Sequence, residues 1–395
     1  MTVEQQPEER PDAAAPAPSG GSLATTSAGP AASATVRAWD NLWDYVTHGG
    51  HLADTRRLAR LPILHGEGYT VWRYEPIVAP DPQRAPLLLV PPLGAPDFAF
   101  DLRRGASLVE DLLADGREVH VVTYASTGPA AGRRGLELWV DEIVPAALFA
   151  VAARHDDAPV HLVGWSLGGL FALLAAASDV AGAPIRSVTA FASPVDVSAV
   201  PLVAPFRSVA EYTGGRIFSA AYRTLGSFPA TAVKWAFQLT SVERYLTKPV
   251  TLLTHLDDRE LLEQIEAVDV LMANMTAYPG RAFGQIYHHV IRSNDLAQDD
   301  LRLAGRPVRL ADVRVPVLLV AGADDVIAPV AAVERATALL TGSPDLRFVV
   351  RPGGHLGVLA GRRARENSWR DLQGFLAAHD GDGPDGAEAR AHLGG

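Results

Sequence analysis

Apolar positions along this chain fall into blocks of two kinds. Short runs of strand length are Leu87 to Val90, Val119 to Tyr124, Val160 to Gly164, Ile185 to Phe191, Val315 to Val320 and Leu346 to Val350. Their near-continuous apolar character predicts strands buried on both faces. Stretches with helical propensity separate them: Leu108 to Leu113, Leu136 to Ala153, the Ala/Leu-rich run after Gly168, and Trp369 to Ala378. Asp115-Gly116 closes the first of these with a C-cap signal. Apolar strands alternating with helices predict an α/β fold, a mostly parallel central sheet flanked by helices on both faces.

The ends and the middle depart from this rhythm. Met1 to about Ala34 is rich in Ala, Pro, Ser, Gly and Glu and lacks aromatics, which predicts a disordered tail. From Val36 to Thr47, Trp39, Leu42, Trp43 and Val46 recur at helical spacing. The simpler reading is an amphipathic helix packed on the main domain; the other is a docking or lid helix. Tyr69 to Glu75 alternates as an early strand. From about Val197 to Leu303 strand alternation is lost. This segment is helical in character and rich in aromatics, from Phe206 through Trp235 to Tyr287. An insertion of that size between two core strands predicts a helical cap over the site. The expected organisation is therefore a tail over 1–34, an N-terminal extension over 35–80, core over 81–196, cap over 197–303, core over 304–380 and a flexible tail over 381–395.

Composition narrows the function classes. With 395 residues, 48% hydrophobic, the chain can bury a large core. Its formal net charge of −10 and lack of a basic cluster argue against nucleic acid as a partner. Cysteine is absent, which excludes disulfides, thiolate metal sites and a thiol nucleophile. The acidic start is unlike a signal peptide, and the cytoplasm is the expected location. The apolar run Leu162 to Ala177 is shorter than the ~20 residues of a membrane span and contains three glycines. His288 and His289 are adjacent and lack ligand spacing, so no metal or cofactor is expected.

The candidate chemistry centres on Gly164-Trp165-Ser166-Leu167-Gly168-Gly169, set between an apolar run and a helical one. Strand, G-x-S-x-G and helix together form a nucleophile elbow, which holds a serine hydroxyl at a helix N-terminus. Its small flanking residues suit a strained, crowded turn. In chain order a carboxylate and then a histidine should follow. Asp325 and Asp324 both lie after the Val315–Val320 run; the spacing of glycine, two residues, Asp, three residues, Pro selects Asp325. His355 lies on a Gly-flanked loop after the last run and is the candidate base. Leu167 follows the nucleophile and supplies one candidate oxyanion-hole N–H. The loop after Val90 supplies the other. Pro91 and Pro92 have no N–H, so Leu93 comes first and Gly94 second. His161, inside the elbow strand, is expected to be packed.

These residues resemble the α/β-hydrolase superfamily and, within it, the polyhydroxyalkanoate synthase family. The likeness runs from about Tyr69 to the C-terminal helix. It rests on Val90-Pro91-Pro92, Phe100-Asp101-Leu102, the Gly164–Gly169 elbow, Ser193-Pro194-Val195-Asp196, the cap insertion, Asp325 to Pro329 and Gly354-His355. That family carries cysteine where this chain has Ser166, and its tryptophan and proline after the early strand have no obvious match in Tyr124-Ala125-Ser126-Thr127. A thiolate suits exchange with an acyl-CoA thioester, whereas a serine forms an oxoester and suits ester hydrolysis. The expected function is a serine hydrolase acting on a carboxylic ester or thioester with an apolar or 3-hydroxyacyl part. The alternatives are a synthase-like acyltransferase using 3-hydroxyacyl-CoA and a silent paralogue that binds acyl chains or polyester granules. The expected partner is a small-molecule or polymeric acyl substrate, acyl-CoA included, and a homodimer is compatible with the sequence.

Overall fold

The computed structural model describes residues 30–125, 135–178, 182–200, 227–228, 251–252 and 254–381. The first 29 residues, Ser126-Thr127, most of the expected cap's aromatics and the last 14 residues lie outside them. Eight strands form one sheet: β1 (Arg60–Gly66), β2 (Tyr69–Tyr74), β3 (Leu87–Val90), β4 (Val119–Tyr124), β5 (Val160–Trp165), β6 (Ile185–Phe191), β7 (Val317–Gly322) and β8 (Leu346–Arg351). Their order is β1-β2-β4-β3-β5-β6-β7-β8. β1 and β2 pair antiparallel, as do β2 and β4; every later pair is parallel. Each predicted run is a strand, and β3, β5 and β7 are buried at every residue.

Helices follow in chain order as α1 (Pro30–Thr47), α2 (Leu108–Ala114), α3 (Val144–Ala152), α4 (Leu167–Ser178), α5 (Arg259–Ala273), α6 (Gly280–Gln285), α7 (Val330–Glu334), α8 (Gly357–Ala360) and α9 (Ser368–Ala377). α4 is apolar nearly all round and buries Leu170, Phe171, Leu173 and Leu174. A helix with that pattern belongs inside a core, and each such side chain contributes about 1.5–3 kcal/mol through burial. No helix among the described residues is long and apolar enough to cross a membrane.

Four local expectations need correction. The tail expected to reach residue 34 gives way to helix at Pro30. α1 is not packed by its apolar stripe. Trp39 and Trp43 are 67% and 70% exposed, while Asn41 donates to the Leu256 carbonyl and Arg37 pairs with Asp257. Its polar side is the docked one, because the surface around 256–259 offers charges and a carbonyl rather than an apolar face. β1 was not foreseen. Its Leu61 and Leu64 straddle Pro62 and a register shift, which blurs the alternation, and Pro is tolerated because β1 is an edge strand. The helix expected from Leu136 opens with a wide π turn, Leu138–Ile143. Pro145 lacks the N–H that would bond the carbonyl four residues back, so regular α-helical bonding starts late. Between β6 and β7 the described residues are mainly helical, α5, α6 and a π turn at Ile286–Arg292, with a two-residue ladder joining Ser227–Phe228 to Tyr278–Pro279.

Candidate active site

β5 delivers Ser166 to the end of the sheet. Ser166 has φ +55°, a left-handed conformation costly for a residue with a Cβ, and its N–H donates to the Phe191 carbonyl at 2.7 Å. The glycines around it are required by close approach. A Cβ on Gly164 would stand 2.5 Å from the Gly168 backbone, and one on Gly168 would stand 2.1 Å from the Val90 carbonyl oxygen. Strand β5, helix α4 and the end of β3 therefore touch backbone to backbone. Leu167 opens α4, so its N–H is among those with no acceptor inside the helix.

Two loops bring the other side chains to Ser166. His355, on the loop after β8, places Nε2 2.9 Å from Ser166 Oγ and Nδ1 2.8 Å from Asp325 Oδ2. Asp325 follows β7, and its side chain is fully buried. Its other oxygen, Oδ1, accepts from the Ile327 and Ala328 N–H groups, each at 2.8 Å. A carboxylate only accepts, so Nδ1 carries the imidazole proton and Nε2 faces the hydroxyl as an acceptor. Trp165 Nε1 donates to the His355 carbonyl at 3.0 Å, which fixes the loop as well as the ring. Asp324, the competing acid, is exposed, and only its backbone reaches the loop, through Gly353.

The loop after β3 is anchored by carboxylates that sequence reasoning did not single out for this purpose. Buried Asp97 binds Arg60 of β1 and accepts from Thr123 Oγ1 at 2.7 Å. Asp101, with no exposed surface, accepts from Ser107 Oγ at 2.7 Å and the Leu58 N–H at 2.9 Å, and also binds Arg104. Ser107 in turn caps α2 by accepting from the Glu110 N–H. Leu93 is buried, and Gly94 adopts φ +81° with its carbonyl accepting from the Thr276 N–H at 2.8 Å. The Ser-x-x-Glu pattern at 107–110 was the available signal for this anchoring.

A partly exposed serine hydroxyl, an imidazole and a fixed carboxylate in one hydrogen-bonded line, all beyond the C-terminal ends of parallel strands, belong to an α/β fold whose site lies in its loops. The α/β hydrolase fold family matches residues 87–361. The chain belongs to this family. Within it the chain resembles poly(3-hydroxyalkanoate) polymerases. It is 25% identical over 315 residues to the polymerase subunit PhaC of Allochromatium vinosum, covering 79% of this chain and 86% of that protein. It is 27% identical over 306 residues to the PhaC of Cupriavidus necator, covering 74% of this chain and half of that longer protein. Among solved structures, a thermostable carboxyl esterase from Bacillus coagulans aligns with TM-score 0.53 and 15% identity, over 83% of this chain and all of the other. That likeness shows the α/β hydrolase fold alone.

Proposed function

We propose that this α/β hydrolase is a serine-dependent enzyme cleaving a carboxylic ester or thioester, with an apolar or 3-hydroxyacyl group on the acyl side. The observation that carries this reading is the unbroken run of hydrogen bonds from Ser166 through His355 to Asp325. In the proposed reaction Ser166 Oγ attacks the acyl carbonyl while His355 Nε2 takes its proton. Asp325 holds the ring in the tautomer that leaves Nε2 free to accept, and stabilises the imidazolium. The oxyanion is received by the Leu167 N–H at the start of α4 and by the Leu93 N–H of the anchored loop. Protonated His355 then gives its proton to the leaving alcohol or thiol. Water, deprotonated by the same imidazole, releases the acid and frees Ser166. Residues 197–303 act as the cap; the Thr276 to Gly94 hydrogen bond, which ties this segment to the Leu93 loop, supports that role.

A second reading is favoured by the relatives, which are polymerases across most of the chain. In it the acyl-serine is resolved by the hydroxyl of another 3-hydroxyacyl group rather than by water. Incubation with 3-hydroxybutyryl-CoA separates the two. The hydrolase reading expects free coenzyme A and free 3-hydroxybutyrate in equal amounts, both lost in Ser166→Ala. Oligomeric ester in place of free acid would establish the transferase. Absence of turnover on this thioester and on activated aryl esters would overturn both and leave an acyl-binding protein.

A further inference from the structure

We propose that Glu118, His120 and His155 form a binding site for one divalent transition-metal ion of the zinc class, at the end of the sheet opposite Ser166. Glu118 immediately precedes β4, His120 is its second residue, and His155 lies on the loop between α3 and β5. The three offer one ligand atom each, all within 4.8 Å of one another.

The state of the two imidazoles points to a ligand. His120 is fully buried, and its Nδ1 stands 3.1 Å from the Leu87 carbonyl oxygen. A carbonyl only accepts, so Nδ1 bears the proton and Nε2 presents its lone pair. That Nε2 has no hydrogen-bond partner. The His155 ring meets the His120 ring edge-on, with centroids 5.5 Å apart and planes at 84°. His155 Nε2 faces Glu118 Oε2 at 3.1 Å. A fully buried imidazole nitrogen without a hydrogen bond, beside a second imidazole and a carboxylate, forms a donor set that a borderline divalent cation satisfies.

The surroundings supply the remaining parts of such a site. The Leu87 carbonyl orients His120 as an outer-shell acceptor on the far ring nitrogen. Arg73 holds Glu118 through both oxygens at 3.2 and 3.1 Å, which fixes the carboxylate and, by its charge, weakens the site. His155 and Glu118 keep 18% and 21% side-chain exposure, so an ion can enter past them while His120 closes the inner wall. Zinc bonds of about 2.0–2.2 Å to nitrogen and oxygen place tetrahedral donors about 3.3 Å apart, which a small swing of the His155 loop provides. Bound there, the ion would tie that loop to β4, a structural role separate from the chemistry at Ser166.

The test uses the full chain, stripped with a chelator and titrated with zinc chloride by calorimetry and thermal melting. One equivalent should bind in the micromolar range, with a rise in Tm. His155→Ala, on a loop, should remain folded by circular dichroism and lose both responses; Glu118→Gln should bind at least tenfold more weakly. No zinc binding by the unaltered chain, or binding that survives in His155→Ala, would overturn the proposal.

Discussion

Strand β5 carries two Ser–His–Asp arrangements, one at each end, and they differ in what surrounds them. At its far end Ser166 meets His355 and Asp325. Near its start His161 accepts from Ser187 Oγ through Nδ1 at 2.7 Å and faces Asp380 Oδ1 with Nε2 at 3.2 Å. The two sites lie about 17 Å apart at the rise of an extended strand. Their imidazoles are opposite tautomers, yet in both the carboxylate takes the ring N–H and the hydroxyl faces the lone pair. Ser187, however, stands opposite His161 in the parallel ladder, next to a register shift, and has no exposed surface. Ser166 is partly exposed, strained, and followed at once by a helix. The proposal that Ser166 rather than Ser187 is the nucleophile rests on access and on a helix N-terminus, not on residue types alone.

The two aspartates give the largest expected contrast. Asp325→Asn leaves His355 without its orienting acceptor and should lower kcat on an activated ester by about 10⁴-fold, with little change in Tm. Asp380 is also the partner of Arg117, whose side chain is fully buried. Asp380→Asn should therefore cost about 3–5 kcal/mol of stability, read by urea unfolding, and leave kcat unchanged. Equal kinetic effects of the two substitutions would erase the distinction between the sites.

A smaller effect should appear with pH. Burial pushes the His161 imidazole down from 6.5 to about 4, against the upward pull of Asp380. For Asp380, burial acts to raise the carboxyl, but hydrogen bonds from His161 and Arg117 outweigh it and hold it well below its ordinary value. Between pH 6.5 and about 4 the unfolded chain binds the His161 proton and the folded chain does not. Stability should therefore fall as pH falls through that window, by about 3 kcal/mol in all from this group. The Asp380 contribution is lost only at lower pH, below its unfolded value. His161→Gln should flatten the slope between pH 6.5 and 4; an unchanged slope would place the titration elsewhere. The smallest effect is that of Ser187→Ala, about 1–3 kcal/mol for leaving a buried ring nitrogen unpaired, again with kcat intact.

How much could be read beforehand follows the same division. The core strands were legible because burial on both faces writes continuous apolar runs such as Leu87–Val90. Ser166, Asp325 and His355 were legible because each lies at a strand end in a small-residue setting whose chain order carries meaning. Contacts between elements left no such trace. Nothing in the spacing of 118, 120 and 155 suggests a cluster, since β4 and the α3–β5 loop meet only in the fold. His161 reads as a packed histidine, and it is packed, but its partner Asp380 is 219 residues away. The exposed stripe of α1 inverted the usual rule that an amphipathic helix buries its apolar side, because its polar residues found charged partners at 256–259.

The most direct measurement is the site of covalent labelling by a fluorophosphonate, mapped by peptide mass spectrometry. A single adduct on the peptide bearing Ser166, absent in Ser166→Ala and slowed by orders of magnitude in His355→Gln, is the expected result. No adduct in the unaltered chain, or an adduct on Ser187 in its place, would contradict the account.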